Sequence, residues 1–182
     1  MEKENKNNNG LKKIVIIGPE STGKSTLCEA LAQHFNTSWC PEFAREYLLS
    51  YGTNYAYNDL LTIAKGQLAL EEEMALQANN GLLFIDTNMY VMKVWCEFVF
   101  DKCHPWILEQ IVNRRYDLYL LCNTDLPWVK DELREYPDLE TRNKLFHYYK
   151  DLLVNQATPW VEISGNYENR LQQAIAAINK IL

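Results

Sequence analysis

Eight residues, Gly18-Pro19-Glu20-Ser21-Thr22-Gly23-Lys24-Ser25, carry the spacing G-x-x-x-x-G-K-S. Glycines at both ends let the backbone curl until successive N–H groups point inward and form a nest for an anion. The run Lys12-Lys13-Ile14-Val15-Ile16-Ile17 before the loop reads as a buried strand, and an amphipathic stretch follows it. The loop therefore opens a helix, whose positive dipole end adds to the nest. In that setting Lys24 reaches the β- and γ-phosphates of a nucleoside triphosphate, and the Ser25 hydroxyl ligates magnesium. An ordinary strand-to-helix turn needs neither residue in that order. The nucleotide-binding set expected here is Gly18, Glu20, Ser21, Thr22, Gly23, Lys24, Ser25 and Thr26.

Three further groups are candidates for chemistry. The apolar stretch Leu82-Leu83-Phe84-Ile85-Asp86 ends in a carboxylate and is similar to a Walker B segment, which would set Asp86 beside the magnesium held by Ser25. The alternative is a helix cap, a role that Asp86, Thr87 and Asn88 all suit. In Glu42-Phe43-Ala44-Arg45-Glu46 the charged residues share one helical face at i, i+3 and i+4. They are either a solvated face or an acceptor site, with a carboxylate to take a hydroxyl proton and Arg45 to orient an anion. Between Asn123 and Leu139 lies a long charged segment containing Trp128, Asp131 and Arg134, with Arg142 beyond it. Phosphoryl transfer needs cations at the γ-phosphate and a cover that excludes water, so this segment reads as a lid, with a plain surface loop as the alternative.

The elements that must position these groups follow from pattern and punctuation. Strands are expected at 12–18, ending at Cys40-Pro41, and at 82–86, 118–122 and 160–163. Helices are expected after the phosphate loop and at 42–49, 58–77, from Asn88, at 105–115, 139–154 and 168–182. Gly66 inside the second long helix marks close approach by a backbone or ligand, or plain helix packing. Strands alternating with helices mean an α/β fold with a parallel sheet covered on both faces. In such a sheet the site lies at the carboxyl ends of the strands.

The 182 residues suit one domain over 11–182, preceded by a polar tail over 1–10 that is expected to be disordered. A net charge of −6 argues against a nucleic-acid binder, which normally presents a basic face. No apolar run reaches the ~18 residues of a membrane span, so a cytoplasmic protein is expected. Five scattered cysteines without C-x-x-C spacing read as buried thiols.

The phosphate loop, Glu42-x-x-Arg45-Glu46, Gly66-Gln67, Phe84-Ile85-Asp86-Thr87, His104-Pro105 and Trp128-x-x-Asp131-x-x-Arg134 occur in an order and spacing that resemble the nicotinamide riboside kinase domain of bacterial NadR-type proteins. The similarity runs from Leu11 onward. It implies a three-layer P-loop kinase fold with a central five-stranded parallel sheet and a helical lid. It also implies that ATP and Mg2+ phosphorylate the 5′-hydroxyl of a nucleoside, with nicotinamide riboside giving the mononucleotide in NAD salvage. In that reading Lys24, Glu42, Asp86 and Arg134 are catalytic, and Glu42, Arg45, Glu46, Gln67, Asp86 and Asn88 bind the nucleoside. Arg134, Arg142 and Asn166 join the phosphate loop at ATP, and Ser25 and Asp86 hold the metal. Glu46, Tyr47, Tyr90 and Trp95 are candidates to face the pyridinium ring. NadR-type proteins carry an adenylyltransferase domain ahead of the kinase, which ten residues are too few to supply. The family tends to have aspartate where Asn88 stands. Two rival readings stay open on the residues: a deoxynucleoside or nucleotide kinase on the same scaffold, and a nucleotide-dependent switch or regulatory ATPase.

Overall fold

The computed structural model describes residues 10–182, so the expected polar tail lies, apart from Gly10, outside the described residues. In chain order the elements are β1 (Lys12–Ile17), α1 (Lys24–Phe35), β2 (Trp39–Cys40), α2 (Phe43–Tyr51), α3 (Tyr57–Gln77) and β3 (Leu82–Asp86). Then come α4 (Met89–Phe100), α5 (Pro105–Asn113), β4 (Leu118–Cys122), α6 (Leu139–Val154), β5 (Trp160–Ile163) and α7 (Tyr167–Ile178). The strands form one parallel sheet in the order β2-β3-β1-β4-β5.

Alternate side chains of the sheet go to opposite layers. Ile14, Ile16, Phe84 and Leu120 pack with Leu27 and Leu31 of α1 and with Ala174 and Ile178 of α7. Val15, Ile17, Ile85 and Leu121 pack with Val91 and Val94 of α4 and with Phe146 and Tyr149 of α6. Burial on both faces is the reason the strands read as unbroken apolar runs instead of alternating ones. A third cluster joins α2, α3, α4 and α5 through Ala44, Ile63, Met92 and Ile107 and builds the wall opposite the phosphate loop. The five cysteines are free thiols, four of them buried. Among the described residues no helix is long and apolar enough to cross a membrane.

The register of β1 against β3 positions the site. Ile16 pairs with Asp86, and the Thr87 amide donates to the Ile16 carbonyl at 3.1 Å, so Asp86 ends its strand level with the start of the phosphate loop. The lid is the point of difference from expectation. Residues 123–138 form turns and extended backbone with no helix. Pro127 and Pro137 lack the amide a helix needs, and the Asp131 carboxylate accepts from the Leu133 amide at 3.1 Å, favouring a local turn.

Gly66 is a packing position. A Cβ at Gly66 would stand 2.1 Å from the Phe43 ring, so this glycine lets α2 close onto α3. Gly66→Ala should overpack this contact by ~1–3 kcal/mol, outweighing the ~1 kcal/mol that alanine gains in a helix. A lowered denaturant midpoint with an unchanged slope is the expected result; a raised midpoint would contradict the packing assignment.

Candidate active site

The phosphate loop is a tight turn held from both sides. Gly18 has φ +142°, and a Cβ there would lie 2.7 Å from the Cys122 carbonyl oxygen, a backbone atom that cannot yield. Gly23, with φ +77°, caps α1 in the left-handed region. The buried Thr22 hydroxyl donates to the Pro19 carbonyl at 2.7 Å and closes the loop on itself. From behind, the fully buried Arg170 donates to the carbonyls of Thr22 and Asn123, each at 3.0 Å, and to Gly165 at 2.7 Å, and it pairs with Asp125. Neither Arg170 nor Asp125 was expected at the site from sequence. The Lys24 ammonium lies over the loop, donating to the Pro19 carbonyl at 2.9 Å.

At the end of β3, Asp86 is completely buried. One of its carboxylate oxygens accepts from the Ser25 hydroxyl, and the other, Oδ1, has no hydrogen-bond partner. Burial raises its pKa, while the Lys24 charge and the Ser25 hydrogen bond lower it. An unpartnered buried carboxylate oxygen beside a hydroxyl fits a hard cation. Among the described residues no group of three or more His, Cys, Asp or Glu side chains could hold a metal ion. A cation here would complete its shell with water and phosphate oxygens, the usual situation of magnesium.

Glu42 faces this pair from the turn between β2 and α2. Burial, and after it the Asp86 charge, push its pKa up to about 7, with Lys24 and Arg45 pulling the other way. Its backbone is fixed by Gln67 of α3: the side-chain oxygen accepts from the Phe43 amide at 2.8 Å, and the amide nitrogen donates to the Pro41 carbonyl at 3.2 Å. Gln67, expected to bind substrate, is thus a buried brace beneath Glu42 and does not line the cleft.

The cleft between loop and wall has a volume of about 460 Å³. Glu42, Arg45, Asp86 and Arg134 line it together with the loop residues Gly18 to Thr26. Five aromatic residues also line it, Trp39, Trp95, Phe98, Tyr136 and Tyr149; of these, only Trp95 is expected from sequence. Other residues singled out from sequence lie outside the cleft or bond to the protein's own backbone. Glu46 is exposed and lies outside the cleft. Tyr47 is engaged with Asp59 at 2.8 Å, and Tyr90 lines a separate groove. Asn88 is the cap of α4, accepting from the Tyr90 amide at 3.0 Å and donating to the Tyr119 hydroxyl at 3.1 Å. Of the alternatives at this junction, Asn88 takes the cap, leaving Asp86 free of it. Asn166 caps α7 through the Asn169 amide at 2.9 Å. Arg142 is buried and donates to the carbonyls of Ser21 and Leu126 at 3.2 and 3.3 Å, tying the cover to the loop.

The sheet order, the loop and the acid at the end of β3 define a P-loop nucleotide-binding protein with the fold of the small kinases. The chain belongs to the AAA domain family, whose model matches residues 13–170. It is 29% identical over 174 residues to the trifunctional NAD biosynthesis/regulator protein NadR of Escherichia coli strain K12, and equally to that of Salmonella typhimurium. Each match covers 93% of this chain and 42% of the relative, so the chain spans well under half the length of the curated relatives it matches. A crystal structure of NadR protein in complex with NR superposes with TM-score 0.80 at 23% identity, over 96% of this chain and 50% of that one. A complex of NadR with NAD and AMP-PNP gives 0.75 at 24%, with the same coverage. Thymidylate kinase from Ehrlichia chaffeensis gives 0.62 at 12%, over 93% of this chain and 99% of that one. The resemblance to NadR-type proteins and the P-loop kinase fold read from the sequence both hold.

Lys24→Ala tests the nucleotide site directly. The Lys24 ammonium donates to a single carbonyl of its own loop and offsets part of the cost of burying Asp86, so thermal stability should fall only slightly. ATP affinity should fall about 10–100-fold, the equivalent of the ~1.5–3 kcal/mol of a charged hydrogen bond. Titration calorimetry showing unaltered ATP affinity would remove the assignment.

Proposed function

We propose that this protein is an ATP- and magnesium-dependent nucleoside kinase that transfers the γ-phosphoryl group to the 5′-hydroxyl of nicotinamide riboside. The observation that carries the reading is the pairing of two acids in different settings across one cleft. Asp86 is buried beside Ser25 with a free oxygen, and Glu42 faces the cleft with a raised pKa. The 29% identity to NadR and the NadR fold support it, and one NadR structure contains NR. The thymidylate kinase likeness supports a kinase fold but not that acceptor.

The roles follow from placement. The inward N–H groups of residues 18–25 and the Lys24 ammonium bind the triphosphate. Ser25 and Asp86 would hold magnesium, which when bound neutralises charge on the phosphates. Glu42 takes the proton of the 5′-hydroxyl as its oxygen bonds to the γ-phosphorus; the bond to the bridging oxygen breaks and ADP leaves. Arg134, lining the cleft from the cover, offsets the charge on the moving phosphoryl group and helps exclude water. The aromatic residues that line the cleft receive the base.

If Glu42 is the general base, only its carboxylate form is competent. Activity should then fall as pH drops below about 7, where that carboxyl protonates. Glu42→Gln should remove this acid limb and lower kcat by ~10²–10⁴-fold. An acid limb that survives the substitution would shift the role to another group.

Acceptor choice tests the substrate. Nicotinamide riboside bears a fixed pyridinium charge, which aromatic faces attract by ~0.5–2 kcal/mol per contact. Its kcat/KM should exceed that of uridine, cytidine or thymidine by about tenfold or more. Trp95→Leu should narrow the gap by weakening the cationic substrate. Preference for a neutral deoxynucleoside, with nicotinamide riboside inert, would place the protein with the other nucleoside kinases.

A further inference from the structure

Glu20 is the one acid inside the phosphate loop, and a carboxylate there would repel ATP if it faced the nest. It faces the cover instead. Its Oε1 accepts from the Trp128 indole at 3.1 Å and from the Tyr136 amide at 2.7 Å; its Oε2 accepts from the Glu135 amide at 2.9 Å. Three donors from the non-helical segment thus converge on one carboxylate, and these charge-assisted bonds are the strong kind. The neighbouring Ser21 hydroxyl adds a fourth contact, accepting from the Val129 amide at 3.0 Å. These attachments fall on both sides of Arg134, at 128–129 and at 135–136. A segment without helix or strand has no internal ladder to hold its shape, so its conformation over the cleft depends on such anchors.

We propose that Glu20 is a positioning residue that fastens the cover to the phosphate loop and sets Arg134 over the transferring phosphoryl group, and that it does not itself bind nucleotide. This rests on the kinase reading for its catalytic consequence but not for the latch. It assigns Trp128 a second part of the same device, the indole N–H being one of the three donors. On the opposite wall Arg45 of α2 grips Asp131 through both guanidinium nitrogens, at 2.9 and 3.2 Å, so the cover is fastened to each side of the cleft. The loop anchor is the one that brackets Arg134.

The latch can be read without substrate. Hydrogen exchange in the intact protein should show the Glu135 and Tyr136 amides protected in wild type and deprotected in Glu20→Ala, with the sheet amides unchanged. In turnover assays with ATP and nicotinamide riboside, Glu20→Ala should lower kcat by up to about 10²-fold, the cost of a small misplacement. KM for ATP should stay within about twofold. Trp128→Phe, which removes only the indole donor, should give a smaller loss in the same direction. Adding Arg134→Ala to Glu20→Ala should cost little more, because both changes remove one effect. Unchanged exchange at Glu135 and Tyr136 would overturn the latch. A raised KM for ATP with kcat retained, or additive losses with Arg134→Ala, would make Glu20 an ordinary nucleotide contact. If wild type transfers phosphate to no nucleoside, the kinase reading fails and the exchange result alone decides the latch.

Discussion

The site depends on one register: β1 beside β3 with Ile16 opposite Asp86. In a parallel sheet covered on both faces, strand ends are where polar groups can meet without disturbing a core. That pairing sets a fully buried carboxylate against the Ser25 hydroxyl at the opening of α1, and leaves its second oxygen unpartnered. A slip of one residue would exchange Asp86 for an apolar neighbour and turn the acid into a helical layer. The cost of burying Asp86 is offset in part by the Lys24 charge.

Around that fixed pair, second acids and cations are placed by different means. Glu42 is held from beneath through Gln67, and its raised pKa comes from burial and from facing Asp86. Two neighbouring carboxylates whose environments differ in this way can take different roles, one beside a cation and one as base. Cations reach the cleft from three directions: Lys24 from the loop, Arg45 from the wall and Arg134 from the cover. Side chains of the phosphate loop, α2 and α6 join the cover to the rest, so its position is set by side chains rather than by secondary structure.

Much of this was legible in the sequence, because strand, loop and helix order are local signals. All five strands, the phosphate loop, Asp86, Glu42 and the cover segment lie where the pattern puts them. Residue type did not reveal direction. Gln67, Asn88, Arg142 and Asn166 are polar residues of types that suit a ligand, yet each bonds to a backbone group of this protein. Glu46 shares a helical face with Glu42 in sequence, but Glu42 precedes the first turn as its N-cap and diverges from that face. Trp39, Phe98 and Tyr149 reach the cleft from separate elements, a convergence that no spacing rule encodes. Glu20 was visible as a loop residue, while its turn toward the cover depended on donors more than a hundred residues away.

The central claim is a division of labour in which Asp86 serves the metal and Glu42 does not. Paramagnetic-resonance titration of Mn2+ into the protein saturated with AMP-PNP measures it most directly, since no turnover intervenes. The account predicts that Asp86→Asn weakens Mn2+ affinity by about 10–100-fold, while Glu42→Gln leaves it nearly unchanged. Equal losses in both variants, or a loss confined to Glu42→Gln, would contradict it.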